Sequence, residues 1–490
     1  MHDTSNRSLL QQIAHRAMLE KGLAPEFSSN ALNELAALRE ESAEDLLKTP
    51  GVRDLRELLW CSIDNDDSLD LDQLTVAIPE TADATRILVA IADVDAVVHK
   101  GMALDEHAQR NTTTVYTAAQ IFPMLPEKIS TDLTSLKHES ERLAVIIDLG
   151  FAVDGSIHSA DIYVALVYNY ARLAYNSVAE WMNGRGTIPA RLAAVPGLDE
   201  NIRLQWHVAQ QLKTLRLQHG ALDFETTQAR PVFAGEELRE LRADAPNNAK
   251  ELIAEFMIAA NSATARFLSS KKYPSIRRVV RTPKRWDRIV ELAAERGTVL
   301  PQTPDSVALE RFLAASRESD PRNFSDLSMS VIKLLGRGEY ILLRSGEEPE
   351  GHFGLATKDY AHSTAPNRRF PDVITQRLLK AAIAGIASPY SEDELASLAA
   401  HCTASEDAAK KVERQVEKSA AALLLEHRVG EYFNAIVTGA SPKATWVRIY
   451  NPPVEGRLHT RGARVDVGQK LRVRLVDTDV QKGFLDFEVS

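Results

Sequence analysis

The sequence predicts an α+β protein: a large domain of mixed sheet and helices, a small helical module before it and a strand barrel after it. Three observations carry this. Apolar residues alternate with period two over 74–78, and 87–94 and 143–151 are apolar runs of strand length; all three read as strands. Apolar residues recur at helical spacing over 248–269 and 372–387, and Lys, Arg and Glu do so over 406–427. From residue 428 onward the pattern is again one of short strands.

The elements follow in order. In residues 1–52, Leu9, Leu10, Ile13, Ala14, Ala17 and Met18 mark a first helix that ends near Gly22. Ser28, Ser29 and Asn30 cap a second helix carrying Leu32, Leu35 and Leu38, and Ser42 opens a third short turn. Three short helices suggest a helix-turn-helix-like module. Nucleic-acid binding and plain packing both fit it, and its acidic balance favours packing. Residues 53–427 form the large domain, strand-rich at first, then mostly helical. Glu106–Arg110 lie on a helix between the second and third strands, and the 406–427 helix leads to the last domain. Residues 428–490 give about five strands and hold ten Lys and Arg against seven Asp and Glu.

Composition narrows the class. The chain has 490 residues, 44% hydrophobic and 26% charged, the balance of a globular protein. No apolar run reaches the ~18 residues of a membrane span, and the polar start carries no signal-peptide core. Cys61 and Cys402 are the only cysteines, which excludes a disulfide framework and suits a reducing cytoplasm. The net charge of −10 argues against nonspecific coating of nucleic acid, though not against a strand threaded through a locally basic channel.

The densest chemistry lies between Trp60 and Ile78. Five aspartates, Asp64, Asp66, Asp67, Asp70 and Asp72, fall within nine residues just ahead of a strand. Carboxylates entering a core are costly unless compensated, and all-oxygen donors suit magnesium or manganese. A plain turn is the alternative, since Asp-Asn-Asp-Asp-Ser is good turn chemistry. A calcium loop is excluded: counted from Asp64, Leu69 and Thr75 stand where Gly and Glu are needed.

Further blocks follow in order: Ile91-Ala92-Asp93-Val94; Val115-Tyr116 with Phe122-Pro123-Met124-Leu125-Pro126-Glu127-Lys128-Ile129-Ser130; Ser135-Leu136; Arg142-Leu143-Ala144; Gly351–Ala356; and Tyr360-Ala361-His362-Ser363-Thr364-Ala365-Pro366-Asn367-Arg368-Arg369-Phe370-Pro371-Asp372. With Ile63-Asp64 through Asp70-Leu71-Asp72 they resemble the ribonuclease II / ribonuclease R family, over about residues 55–400. Its catalytic part is the RNB domain. Residues 428–490 resemble the family's C-terminal OB-fold RNA-binding barrel. Bacterial members carry one or two cold-shock barrels ahead of the catalytic domain. The first 52 residues leave no room for one.

The resemblance implies a set of roles. Asp64, Asp70 and Asp72 match metal-ligating aspartates. Gln73 stands where the family usually has another aspartate and offers a carbonyl oxygen without charge. Arg368 matches the arginine at the scissile phosphate, and Arg369 lies beside it. Glu255, in Ala254-Glu255-Phe256-Met257, matches a glutamate at the 3′ end of the substrate. Tyr116 and Phe224 match rings that clamp the terminal nucleotides, and Tyr175 a tyrosine near a ribose. On the barrel, Trp446 and Arg448, with Tyr450, Arg457, Arg472 and Arg474, form a basic-aromatic candidate surface; the bland alternative is a core tryptophan and solubilising arginines.

The expectation is a cytoplasmic, monomeric, magnesium-dependent exoribonuclease (manganese an alternative ion). It would hydrolyse single-stranded RNA processively from the 3′ end to nucleoside 5′-monophosphates by a two-metal mechanism. Two rivals remain: an RNA-binding protein impaired in catalysis by Gln73, and a nucleic-acid-binding regulator acting through its N-terminal helices.

Overall fold

The computed structural model describes residues 6–81, 84–225, 228–235, 237–244, 247–321, 323–440, 444–460 and 465–490. Its centre is a seven-stranded mixed sheet. In spatial order the strands are Arg53–Asp54, Ile157–Tyr168, Glu141–Ala152, Ala84–Ala92, Gln73–Thr81, Cys61–Asp64 and Ala171–Ala174. The outer pairs are parallel and the inner ones antiparallel. The strands predicted at 74–78 and 87–94 send successive residues to opposite faces, and this splits the core. Ile87, Val89 and Ile91 face one apolar cluster, while Leu88, Ala90 and Ala92 face another on the opposite side with Trp60 and Leu74.

Helices cover the first face. Leu198–Gln218 is fastened to the strand Gln73–Thr81 by side chains. Thr75 donates to Gln205 Oε1 at 2.7 Å, and Asn201 exchanges hydrogen bonds with the Ala77 backbone at 2.7 and 3.0 Å. Asn248–Ser270 starts at an Asn247 cap and buries Leu252, Phe256, Ala259 and Ala263, one stripe at helical spacing. Phe370–Ala384 begins with Pro371 in its first turn and ends at Gly385, whose φ of 66° stops it three residues before the predicted end.

The helix predicted from 406 begins 14 residues earlier: it runs Glu392–Leu425, 34 residues, from a Ser391 cap. No proline or glycine interrupts 392–406, so the first half continues into the second. At ~1.5 Å per residue it spans roughly 50 Å. Its far end contributes Ala421, Ala422 and Leu425 to the core of the last domain. That domain is a closed five-stranded barrel in the order Tyr432–Ala440, Thr445–Ile449, Glu455–His459, Phe484–Val489, Lys470–Asp479. Gly456 is required there, because a Cβ would stand 2.5 Å from the Phe487 ring.

The first fifty residues form the three helices predicted, at Asn6–Glu20, Ser29–Ala37 and Ala43–Leu47, with Ser28 and Ser42 as caps. They pack on different parts of the chain. Ala14, Ala17 and Met18 meet Val412 and Val416 of the long helix. Ala31 joins the main core, and Glu34 accepts from the backbone of Ala103 and Leu104. Among the described residues no helix is long and apolar enough to cross a membrane.

Candidate active site

The aspartate loop is held from beneath. Trp60, fully buried, donates its indole N–H to Leu55 O at 2.8 Å. Leu71 is buried, and its N–H donates to Ser135 Oγ at 3.1 Å while that hydroxyl donates to Leu69 O at 2.8 Å. Leu136 N returns a bond to Leu71 O at 2.9 Å. The Ser135-Leu136 block thus clamps the loop and leaves its carboxylates on the other side.

Asp72 is the buried member, 2% exposed. Its Oδ1 accepts the backbone N–H of Asn367 at 2.9 Å, and its Oδ2 lies 3.3 Å from Arg368 Nε. Burial pushes its carboxyl up to about 7, with Arg368 and the Asn367 bond pulling the other way and Asp70 and Asp372 adding to the rise. Asp64, half-buried at the end of Cys61–Asp64, is raised too, by burial and by Asp70, against Arg368 and Arg172. Asp70 accepts from Ser68 Oγ at 3.0 Å and from the Tyr116 hydroxyl at 3.1 Å. Asp66 and Asp67 are exposed. Asp66 contacts Arg172, through its carbonyl at 2.8 Å, and Asn176.

Arg368 is 43% exposed while touching a buried carboxylate, so one edge of its guanidinium holds Asp72 and the rest faces solvent. Tyr116 is 42% exposed. Tyr175 opens the helix Tyr175–Met182 directly after Ala174, which pairs with Asp64 across the sheet; burial and Asp64 raise its hydroxyl while Arg368 lowers it. Asp64, Asp70, Asp72, Arg368, Tyr116 and Tyr175 are therefore gathered at one place.

Other expected residues lie differently. Gln73 opens the strand Gln73–Thr81 and pairs with Ile91. Arg369 turns away from Arg368: it is half-buried, donates to Asp372 Oδ1 at 2.7 Å and faces Tyr340 and Tyr360. Glu255 is 2% exposed and gripped by Arg216 through two bonds of 2.6 and 2.9 Å. No hydrogen bond among the described residues joins it to the aspartate loop. Phe224 is half-buried against Leu222, Trp286 and Phe312. Trp446 is 37% exposed with Lys418 over its ring at 5.3 Å. Arg448 is paired with Asp326 of the helix Phe324–Leu335, so it fastens the barrel to the large domain.

Sequence reasoning assigned no role to Asn367 or Asp372, although both stand in the block 360–372. The missing signal was three-dimensional: the Asn367 contribution is a backbone N–H, which residue type does not reveal. Among the described residues, no three His, Cys, Asp or Glu side chains converge to hold a metal ion as they stand. The donor chemistry still fits a hard cation: all donors are oxygens, and burial has raised two of the carboxylates because protein positive charge compensates them only in part.

Comparison with known proteins bears on family and fold. Residues 52–385 match the RNB domain, and residues 431–490 match the RNase II-type exonuclease C-terminal S1 domain. Ribonuclease R of Escherichia coli is 29% identical over 467 residues, 89% of this chain and 55% of that protein. Ribonuclease R 1 of Lactococcus lactis is 26% identical over 495 residues, 95% of this chain and 59% of that protein. The chain thus spans a little over half the length of these curated relatives. Mycoplasma genitalium RNase R in complex with ribose methylated single-stranded RNA superposes with a TM-score of 0.89 at 20% identity, covering 99% of this chain and 78% of that one, a likeness of fold.

Proposed function

The chain belongs to the RNB family, and from that premise we propose that it is a 3′-to-5′ exoribonuclease acting processively on single-stranded RNA and releasing nucleoside 5′-monophosphates. The observation that carries the reading is Arg368, held at 3.3 Å from buried Asp72 yet open to solvent beside Tyr116 and Tyr175. A guanidinium so placed has donors left for the oxygens of a phosphodiester.

Asp64, Asp70 and Asp72, with the Gln73 carbonyl, would hold a pair of divalent cations, magnesium or manganese, whose chemistry when bound is to supply hydroxide and to neutralise charge on the leaving 3′-oxygen. The chain's own groups do the rest. Arg368 balances charge developing on the phosphoryl oxygens. The Asn367 N–H and Arg368 Nε fix both oxygens of Asp72, so its orientation is set before substrate arrives. Tyr116 offers a ring for a base of any identity, its hydroxyl anchored on Asp70. Tyr175, which matches a tyrosine near a ribose, would meet a ribose hydroxyl. The division into 1–52, 53–427 and 428–490 assigns cleavage to the middle part and strand capture to the barrel.

The test is a time course with single-stranded RNA labelled at its 5′ end, in magnesium, comparing the native chain with Asp72→Asn. A ladder that shortens to a small end product and is lost in the variant is expected. An intact band at every magnesium and manganese concentration would sink the proposal. Gln73 favours one second reading, an RNA-binding protein with weakened cleavage. Under it, Gln73→Asp would create or strongly raise activity at low magnesium.

A further inference from the structure

We propose that Asp372 is the positioning residue of this site: it fixes the turn whose Asn367 amide and Arg368 guanidinium hold the two oxygens of Asp72. The inference deepens the functional reading above and rests on it for the reaction measured. Asp372 is fully buried in the first turn of Phe370–Ala384. Of the residues expected at the site it bonds only Arg369, which turns away from Arg368. Its Oδ1 accepts Ala365 N at 2.8 Å and Arg369 Nη2 at 2.7 Å. The first bond closes the turn 365–369 onto the helix, and Arg368 N and Arg369 N both return to Ala365 O at 3.2 and 2.9 Å. Thr134 holds the other side, donating to Asn367 Oδ1 at 2.5 Å, and Thr114 N donates to Arg368 O at 3.0 Å. The turn so fixed delivers consecutive residues to opposite oxygens of one carboxylate.

Stability alone does not account for this carboxylate. Asp372 Oδ2, Asn367 Nδ2 and Arg369 Nε are buried with no hydrogen-bond partner. A buried ion pair that leaves donors and an acceptor unsatisfied recovers its desolvation cost poorly. An apolar residue would cap the core more cheaply, but could not receive Ala365 N.

The experiment uses the full chain with Asp372→Leu, which cannot receive Ala365 N, and the double variant Arg369→Met/Asp372→Leu, which removes the buried pair together and guards against a folding failure. Three quantities are read: the single-turnover cleavage rate, the RNA dissociation constant in EDTA, and Mn²⁺ affinity by electron paramagnetic resonance. Both variants should lose about tenfold or more in rate and about tenfold in Mn²⁺ affinity, with RNA affinity unchanged. Native rate and native Mn²⁺ affinity in either folded variant would overturn the proposal, as would a loss of RNA affinity parallel to the loss of rate. If the native chain cleaves no RNA, the functional reading fails, while the Mn²⁺ titration still decides the role of Asp372.

Discussion

Replacing Arg368 with lysine keeps the positive charge and removes the planar fork, which isolates what the guanidinium geometry contributes. Arg368 spends Nε on Asp72 Oδ2 at 3.3 Å and keeps its other nitrogens for substrate. Lysine cannot serve both partners from one ammonium. One charge-assisted hydrogen bond is worth ~1.5–3 kcal/mol. At about 1.4 kcal/mol per factor of ten, kcat/KM should fall about ten- to a hundredfold. Arg368→Ala also leaves Asp72 buried beside only the Asn367 N–H. Breaking a buried pair costs ~3–5 kcal/mol, and the 43% exposure of Arg368 screens part of that. The alanine variant should therefore lose about a hundredfold or more. The assay is single-turnover cleavage of 5′-labelled RNA at saturating magnesium. A lysine variant indistinguishable from the native chain would refute the assignment of Arg368 to the phosphate.

Protons should compete with cations at Asp72, whose carboxyl is pushed up to about 7. Mn²⁺ affinity should fall about tenfold per pH unit below that value and level off above it. An affinity unchanged between pH 6 and 8 excludes this. The same group binds more protons folded than unfolded between its ordinary value of 3.8 and about 7, so the cation-free chain should lose stability as pH rises through that window. Tyr116→Ala should weaken binding of a short RNA by ~1–3 kcal/mol whatever its sequence; a loss confined to one base would point to specific reading instead. Asp326→Ala and Arg448→Ala should lower the melting temperature equally and non-additively, with a coupling of ~0.5–3 kcal/mol in a double-mutant cycle. If Arg448→Ala alone weakens RNA binding, the arginine serves the strand and not the docking of the barrel.

Much of the sheet was legible because its signal is local. The alternation in 74–78 and the apolar runs of 87–94 and 143–151 needed only residue type and length, and the strands lie at Gln73–Thr81, Ala84–Ala92 and Glu141–Ala152. The aspartate loop was equally plain, since carboxylates that enter a core, as Asp72 does, need compensation. What sequence could not supply was the direction of a side chain whose partner lies far along the chain. Arg368 and Arg369 are neighbours, yet one meets Asp72 and the other a buried Asp372–Tyr340–Tyr360 cluster. The pairing of Arg448 with Asp326, 122 residues away, looked from sequence like a free cation on a barrel. Glu255 and Arg216 sit on separate helices whose register along each other decides that they meet. The spacing of Lys, Arg and Glu marks only 406–427, whereas the first half of the long helix is held by buried Leu395, Leu398, Ala399 and Cys402.

The helix Asn6–Glu20 buries Ala14, Ala17 and Met18 against Val412 and Val416. Roughly 400 residues separate the two partners, and at the usual pace of ~5–20 residues per second a ribosome needs about 20–80 s to join them. Throughout that interval the apolar face of the first helix has been made and the part of its partner surface that lies on the long helix has not. During synthesis, that face is left to solvent, to chaperones or to neighbouring nascent chains. The last stretch translated before the barrel is also the one that ends this exposure.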